Sequence, residues 1–402
     1  MHILLVADGR SATARRWIQA LLANGERVSL VSTYPTSAVA GVDTLYTLPV
    51  AFGSSSGSSN AGAAPARRSA IRGVLSRSRL AFLWARYWLG PLSISFYKRR
   101  FHKIIKETAP DMVQALRIPY EGMLAAVTPA SLPFALSIWG NDLTLHANGS
   151  VLMRASTQAA LRRADALLAD AQRDLRLARV WGFAPHKPAL LVPGGGGIDL
   201  AEMERIRSNP FDLFANILPA GGPLVVNPRG IRPAYVRNDV FFQSLPLVLE
   251  RCPNALFICP AMAGQEDALR WIQRLKLEKS VRLLQHLPQT HLWDLFIRSE
   301  VTVSVSEHDG TPNTLLEAMA CSCFPVVGDI ESLREWITPG VNGLLVEPGK
   351  PQSLAEGIIL ALENPQLRRS AARLNLQLIR ERAEVNAVRA KIQQFFAQLV
   401  GK

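Results

Sequence analysis

The sequence predicts an α/β protein with two Rossmann-like domains, each built on a parallel sheet. Three observations carry this. Strand-length apolar runs alternate with helix-length segments along the chain. The alternation starts afresh twice, at residues 3–7 and again at 224–226. At 402 residues the chain is also too long for one ordinary core.

The first strand is the continuous apolar run at 3–7, which suits burial on both faces. Asp8, Gly9, Arg10 and Ser11 turn the chain, a helix is expected over 14–23, and Asn24-Gly25 closes it before a strand at 28–32. The opening lacks G-x-G-x-x-G, so a dinucleotide fingerprint is absent. Residues 52–66 are rich in Gly and Ser and are expected to form a mobile loop.

The next interval is unusual. No Asp or Glu occurs between Asp43 and Glu107, while Arg86, Lys98, Arg99, Arg100, Lys103 and Lys106 fall among Trp84, Tyr87, Trp88, Leu89 and Phe96. Basic residues interleaved with Trp and Leu over 67–106 describe an interfacial helix on an anionic membrane. The alternative is a helix pair that packs its aromatics inward and solvates a basic face.

Further strands are expected at 112–115, 134–138 and 164–169, with a Gly122 loop and a helix after the first of these. The strand at 134–138 runs into Trp139-Gly140-Asn141-Asp142, at a sheet's carboxyl end, where α/β proteins keep their sites. His146 follows one helical turn later as a candidate acceptor contact or a structural residue. A strand at 190–193 leads into four glycines, 194–197, which suit a hinge, and a domain boundary is placed there.

The second domain opens with a strand at 224–226 followed by Arg229, Arg232 and Arg237. Guanidinium groups bind phosphate oxygens in pairs and stay charged, so these arginines form a candidate diphosphate clamp, unless they are surface residues of a basic protein. Strands at 255–259 and 281–284 follow, with a helix containing Trp271 between them. The strand at 301–305 runs into Ser306-Glu307-His308-Asp309-Gly310-Thr311-Pro312-Asn313-Thr314-Leu315-Leu316-Glu317. Pro312 is expected in the first turn of a helix, which leaves the N–H groups of Asn313, Thr314 and Leu315 free for a phosphate. Asp309 and Glu317, eight residues apart, are placed to grip sugar or ribose hydroxyls. Thr314 and Glu317 also fit a capping box, and Asp309 an ordinary turn.

This stretch resembles the E-x7-E region of the retaining glycosyltransferases called family 4, whose pattern reads S-x-x-E-G-x-x-x-x-x-x-E-A-M-A. Ser306, Gly310, Glu317, Ala318, Met319 and Ala320 match it, and Asp309 replaces the first Glu. The Trp139 to Asp142 turn resembles the family's H-G-x-D, residues 190–199 its V-P-N-G-V-D stretch and residues 342–346 its N-G-L-L-V strand. The resemblance implies a GT-B architecture, two Rossmann-like domains facing a cleft. It implies donor binding by Arg229 or Arg232 with Arg237, by Asn313, Thr314 and Leu315, and by Glu317 on the ribose. It assigns Asp309 to the donor sugar, Asp142 to acceptor binding or proton handling, the loop at Gly9 to the cleft, and the loop at His286 to the base pocket. Expected domains are 1–195, 196–375 and a last helix, 376–402, packing back on the first.

The implied activity is retaining transfer from a nucleotide-diphosphate sugar to a lipid-linked or glycan acceptor at a membrane, with no metal or other cofactor. A GT-B epimerase or phosphorylase, or a non-catalytic sugar-nucleotide or nucleic-acid binder, is the alternative. The formal charge of +13 asks for an acidic partner. No nucleic-acid motif accompanies it, so no nucleic acid is expected and an anionic membrane face is. Four cysteines suit a reducing compartment, and Cys321-x-Cys323 lacks zinc-site spacing. With neither a spanning stretch nor a signal-peptide pattern, the expected location is the cytoplasm, peripheral on the inner face of the cell membrane.

Overall fold

A computed structural model describes residues 1–52, 72–214, 221–232 and 235–401, with the backbone alone for 52 and 72–83. The expected low-complexity loop, most of 52–66, and the start of the basic segment therefore lie outside the described residues. The chain divides into two compact units, residues 1–197 with 386–402, and residues 198–385.

The N-terminal unit is a seven-stranded sheet, all parallel. In chain order its elements are β1 (His2–Ala7), α1 (Ala12–Ala23), β2 (Arg27–Ser32), β3 (Thr44–Thr47), α2 (Arg72–Thr108), β4 (Met112–Ala115), α3 (Met123–Ala125), β5 (Phe134–Ile138), α4 (Val151–Arg163), β6 (Ala166–Ala169), α5 (Gln172–Val180) and β7 (Ala189–Leu191). The strands stand in the order β3-β2-β1-β4-β5-β6-β7. The order therefore reverses between β1 and β4, and doubly wound folds place their ligands at the strands' carboxyl ends at such a point. Side chains alternate between two cores, as a period of two requires. Leu4, Val6, Val113 and Phe134 pack into one; Ile3, Leu5, Met112 and Ala135 pack into the other.

Helix α2 is one continuous helix, not a pair, although Pro91 lies inside it. Proline removes the N–H that would bond the carbonyl four residues back, which is that of Tyr87. The Ser150 hydroxyl supplies the bond instead, at 2.6 Å.

The C-terminal unit contains α6 (Leu200–Ser208), β8 (Leu224–Val226), α7 (Asn238–Arg251), β9 (Leu256–Cys259), α8 (Glu266–Leu275), β10 (Val281–Leu283), α9 (Gln289–Ile297), β11 (Val301–Ser304), α10 (Asn313–Ala320), β12 (Phe324–Gly328), α11 (Glu331–Arg334), β13 (Leu344–Val346), α12 (Pro351–Glu363) and α13 (Pro365–Arg382). Its six strands are all parallel, in the order β10-β9-β8-β11-β12-β13, so the reversal falls between β8 and β11. Val225 and Phe257 pack into one core and Val226 and Ile258 into the other.

The last helix, α14 (Val385–Val400), buries Val388, Ile392 and Phe396 among Ile3, Trp17 and Ile18. Residues 386–402 thus belong to the N-terminal unit. Helix α13 stays with the C-terminal unit because Ala371 and Ile379 pack into that unit's cores.

Candidate functional site

In the C-terminal unit the segments after β8 and β11 meet at the reversal of strand order. Arg229, three residues past β8, is 8% exposed and forms an ion pair with Asp309. Its Nε is buried without a hydrogen-bond partner. Asp309 also accepts from the Ser306 hydroxyl at 3.3 Å and from the Gly310 N–H at 3.1 Å. Its carbonyl accepts from Ser332 at 2.8 Å, which ties the loop down.

The other two arginines stand differently. Arg237 chelates Asp239 (2.9 and 2.7 Å) and also pairs with Glu307. The bonds to Asp239, with those to Glu307, hold its pKa above the ordinary value. Arg232 is exposed and donates to the Tyr235 hydroxyl at 3.0 Å. Of the three arginines, Arg229 is the one that bonds Asp309 directly.

Helix α10 begins one residue later than expected, with Pro312 as its N-cap at φ −62°, ψ 129°. The Leu315 N–H is taken by the Pro312 carbonyl at 2.9 Å. Among the described residues no backbone carbonyl meets the N–H groups of Asn313 and Thr314. The Thr314 hydroxyl is buried and unpartnered. A capping box is thus not formed. Glu317, 1% exposed, accepts instead from Gln289 Nε2 at 2.9 Å, a residue the sequence did not single out. The His286 side chain is exposed.

The N-terminal unit carries a cavity of roughly 710 Å³ at its own reversal point, lined by Ala7 at the end of β1, Asp8 just after it, and Leu116 and Arg117 after β4. Guanidinium groups lie over aromatic rings around it: Arg10 over Tyr34 at 3.7 Å, Arg86 over Tyr120 at 4.8 Å, and Arg117 over Trp139 at 5.2 Å. Such placements are attractive because the ring face is electron-rich. Tyr120 sits at φ 68°, a strained conformation for an aromatic residue. Its hydroxyl donates to the Arg86 carbonyl at 2.8 Å, and its ring fills the space a side chain at Gly90 would need, 2.5 Å from an added Cβ. Burial pushes the Tyr120 hydroxyl pKa up to about 12.

Glu121 lines the same cavity at 3% exposure and accepts from the Thr33 hydroxyl at 2.7 Å. Burial raises its carboxyl pKa, against the opposing pull of Arg117 and Thr33. Neither Glu121 nor Arg117 was singled out by sequence; the signal was their place just past β4.

His146 does line the cavity, with Nδ1 2.9 Å from the Tyr87 hydroxyl. Asp142 does not. It is fully buried, pairs with Arg117 at 2.8 Å and accepts from the N–H groups of Ile118 (2.9 Å) and Trp139 (3.1 Å). Its carboxylate is thus engaged by Arg117 and two backbone N–H groups. Gly9 is also off the lining: its N–H donates to Ser32 at 3.1 Å, and a Cβ there would meet Thr36 at 2.8 Å. Its neighbours Asp8 and Arg10 are the residues that line the cavity.

Among the described residues no group of three His, Cys, Asp or Glu is arranged to hold a metal ion. Cys259, Cys321 and Cys323 are free thiols whose pKa values burial pushes up, as inert core cysteines.

Residues 233–375 match the family model "Glycosyl transferases group 1", and residues 86–171 match "Glycosyl transferase 4-like". The chain is 32% identical over 107 residues to the N-acetylgalactosamine-N,N'-diacetylbacillosaminyl-diphospho-undecaprenol 4-alpha-N-acetylgalactosaminyltransferase of Campylobacter jejuni. That stretch covers 26% of this chain and 29% of the relative. Among solved structures, HepE of Anabaena in complex with UDP and glucose matches with a TM-score of 0.68 at 16% identity, over 99% of this chain and all of that one. The sucrose-phosphate synthase of Thermosynechococcus elongatus matches with a TM-score of 0.75 at 15% identity, over 100% of this chain and 99% of that one.

Proposed function

We propose, from the premise that the chain is a GT-B-fold member of the group 1 glycosyltransferases, that it moves a sugar from a nucleotide-diphosphate sugar to an acceptor held at a membrane surface, with retention. The observation that carries the reading is the ion pair of Arg229 and Asp309, on the loop that leads into α10, at the strand-order reversal of the C-terminal unit. Bound there, the donor diphosphate accepts from Arg229 and from the open N–H groups of Asn313 and Thr314. These donors are fixed before the reaction and act where charge develops on the leaving diphosphate. Glu317 holds ribose hydroxyls and is itself oriented by Gln289. Asp309, on the other side of Arg229, meets the donor sugar. The reading needs no metal ion, since guanidinium and helix start carry the compensating charge.

Helix α2 supports the membrane part. Leu89, Leu92, Phe96, Arg99, Arg100 and Lys103 recur every three or four residues, so they share one stripe, and all six are exposed. Phe96 is 84% exposed. An apolar half followed by a basic half suits insertion beside anionic headgroups. Among the described residues no helix is long and apolar enough to cross a membrane, so contact would be peripheral. The name of the Campylobacter relative states a lipid-diphosphate acceptor for that protein.

The test is a thermal-shift screen of nucleotide sugars, followed by transfer of label from the preferred donor to a membrane extract. A preferred donor raises the melting point by mass action. No shift with any nucleotide sugar overturns the reading.

A further inference from the structure

The transferase reading leaves the cavity of the N-terminal unit without a defined ligand, and its arginines are not equivalent. Arg10 is held by Asp8 through two bonds of 3.0 Å. Arg15 donates to the Gly9 carbonyl at 2.9 Å and reaches Thr36 and Ser37. Arg117 is held by Asp142. Arg86 has no carboxylate partner among the described residues, and its Nε is buried with no hydrogen bond. It lies between two tyrosine rings, 4.8 Å from Tyr120 and 5.8 Å from Tyr34. The Nε of Arg117 is likewise buried and unbonded. Two half-buried guanidinium groups, each with a buried and unbonded Nε and one with no carboxylate partner, are costly unless an anion completes them.

We propose that this cavity holds the phosphate of a lipid-anchored acceptor, with Arg86 as its main ligand and Arg117 beside it; the acceptor role rests on the transferase reading above. Guanidinium suits phosphate because its donors match two oxygens at once. The lipid assignment follows from the chain around Arg86. Arg86 and Tyr87 face the cavity from α2, and the exposed stripe of Leu89, Leu92 and Phe96 begins three residues later on that helix. A phosphate at Arg86 therefore sits about one helical turn, roughly 5 Å, from the start of an apolar surface. The rings of Tyr34, Tyr120 and Trp139, in a cavity of roughly 710 Å³, leave room for a sugar beside the phosphate. The strained backbone at Tyr120 fixes one of the rings that flank Arg86.

The test is calorimetric titration of the full chain with geranyl diphosphate, geraniol and glucuronate, on the wild type and on Arg86→Gln, Arg86→Lys and Arg229→Gln. Geranyl diphosphate is expected to bind the wild type and geraniol to bind at least tenfold more weakly. Arg86→Gln should weaken geranyl diphosphate binding at least tenfold and Arg86→Lys by less, with the melting point of Arg86→Lys unchanged. Arg229→Gln should leave that affinity within twofold. Equal affinity in wild type and Arg86→Gln overturns the proposal. So does loss in Arg229→Gln alone, which moves the diphosphate to the C-terminal unit, or Arg86-dependent binding of glucuronate in place of geranyl diphosphate, which makes the anion a sugar carboxylate. Thermal shift with nucleotide sugars on the same proteins separates the two readings. An Arg86-dependent diphosphate site without any nucleotide-sugar shift defeats the donor assignment alone. A nucleotide-sugar shift without that site defeats this one alone.

Discussion

Arg229 and Asp309, from the loops after β8 and β11, neutralise one another at the point where the strand order of the C-terminal unit reverses. The pair therefore has two roles to separate. Asp309→Asn removes the counter-charge of a largely buried guanidinium, which is expected to cost about 3 kcal/mol of stability. It also leaves Arg229 freer for phosphate. Nucleotide affinity should hold or improve while kcat falls on the order of a hundredfold, the size of losing one polar contact to the transition state. Arg229→Gln should instead weaken the nucleotide as well as lower kcat. Calorimetric nucleotide titration beside steady-state kinetics reads both. A parallel loss of affinity in Asp309→Asn would remove this division of labour.

Glu317 is itself buried and oriented by the half-buried Gln289, so an alanine there would remove that bond and open a void. Glu317→Gln is the cleaner probe, because its carbonyl oxygen can still accept from Gln289. The expected cost in stability is about 1 kcal/mol, one hydrogen bond's worth. Donor KM should rise about tenfold if the carboxylate bridges two ribose hydroxyls, since charge-assisted bonds are roughly twice as strong as neutral ones. A nucleotide lacking the ribose 2′-hydroxyl should lose less in the variant than in the wild type. Unchanged KM for both nucleotides would take Glu317 out of the site.

Most strands were legible because parallel strands buried on both faces are near-continuous apolar runs, as at β1 and β9, whereas β3, a half-exposed Thr-Leu-Tyr-Thr, was missed. The helix after Pro312 was legible from local chemistry. What failed was direction. Asp142 lies where the family turn predicts, yet its carboxylate turns inward to Arg117, and no local pattern reports which way a side chain points. Arg237 has the expected spacing, but Asp239 two residues on captures it. Arg117 and Glu121 were missed because their meeting with Asp8 and Tyr34 depends on β1 and β4 being neighbours, a pairing across about a hundred residues. The capping box failed because the helix starts two residues too early for it, with Pro312 as its N-cap, so Thr314 lies inside it and Glu317 bonds Gln289 instead.

Glu121 supplies a pH test. Burial raises its folded pKa above the ordinary 4.5. Between the ordinary and raised values the folded protein binds more protons at this group than the unfolded chain does. Stability from this group is therefore largest below pH 4.5, falls as pH rises through the window, and stays constant above it. Glu121→Gln removes the titration. The melting-point difference, wild type minus variant, should fall as pH climbs from 4 and then level. A difference that is flat or that grows with pH would show that Arg117 and Thr33 outweigh desolvation.

The α2 stripe makes two separable predictions about membranes. Arg99, Arg100 and Lys103 are exposed, so changing all three to Gln should leave the unfolding free energy within about 0.5 kcal/mol for each substitution. Each contributes on the order of 1 kcal/mol beside anionic lipid, so partitioning onto phosphatidylserine vesicles at low salt should drop roughly a hundredfold. That difference should shrink at high salt, since screening removes the charge term from the wild type as well. Phe96→Ser should act through the other term, losing about 2 kcal/mol of apolar burial, and its effect should persist at high salt. Vesicle sedimentation across a salt series distinguishes the two slopes. Equal sedimentation of wild type and the triple variant at low salt would defeat the membrane contact, whatever the cavity beside Arg86 binds.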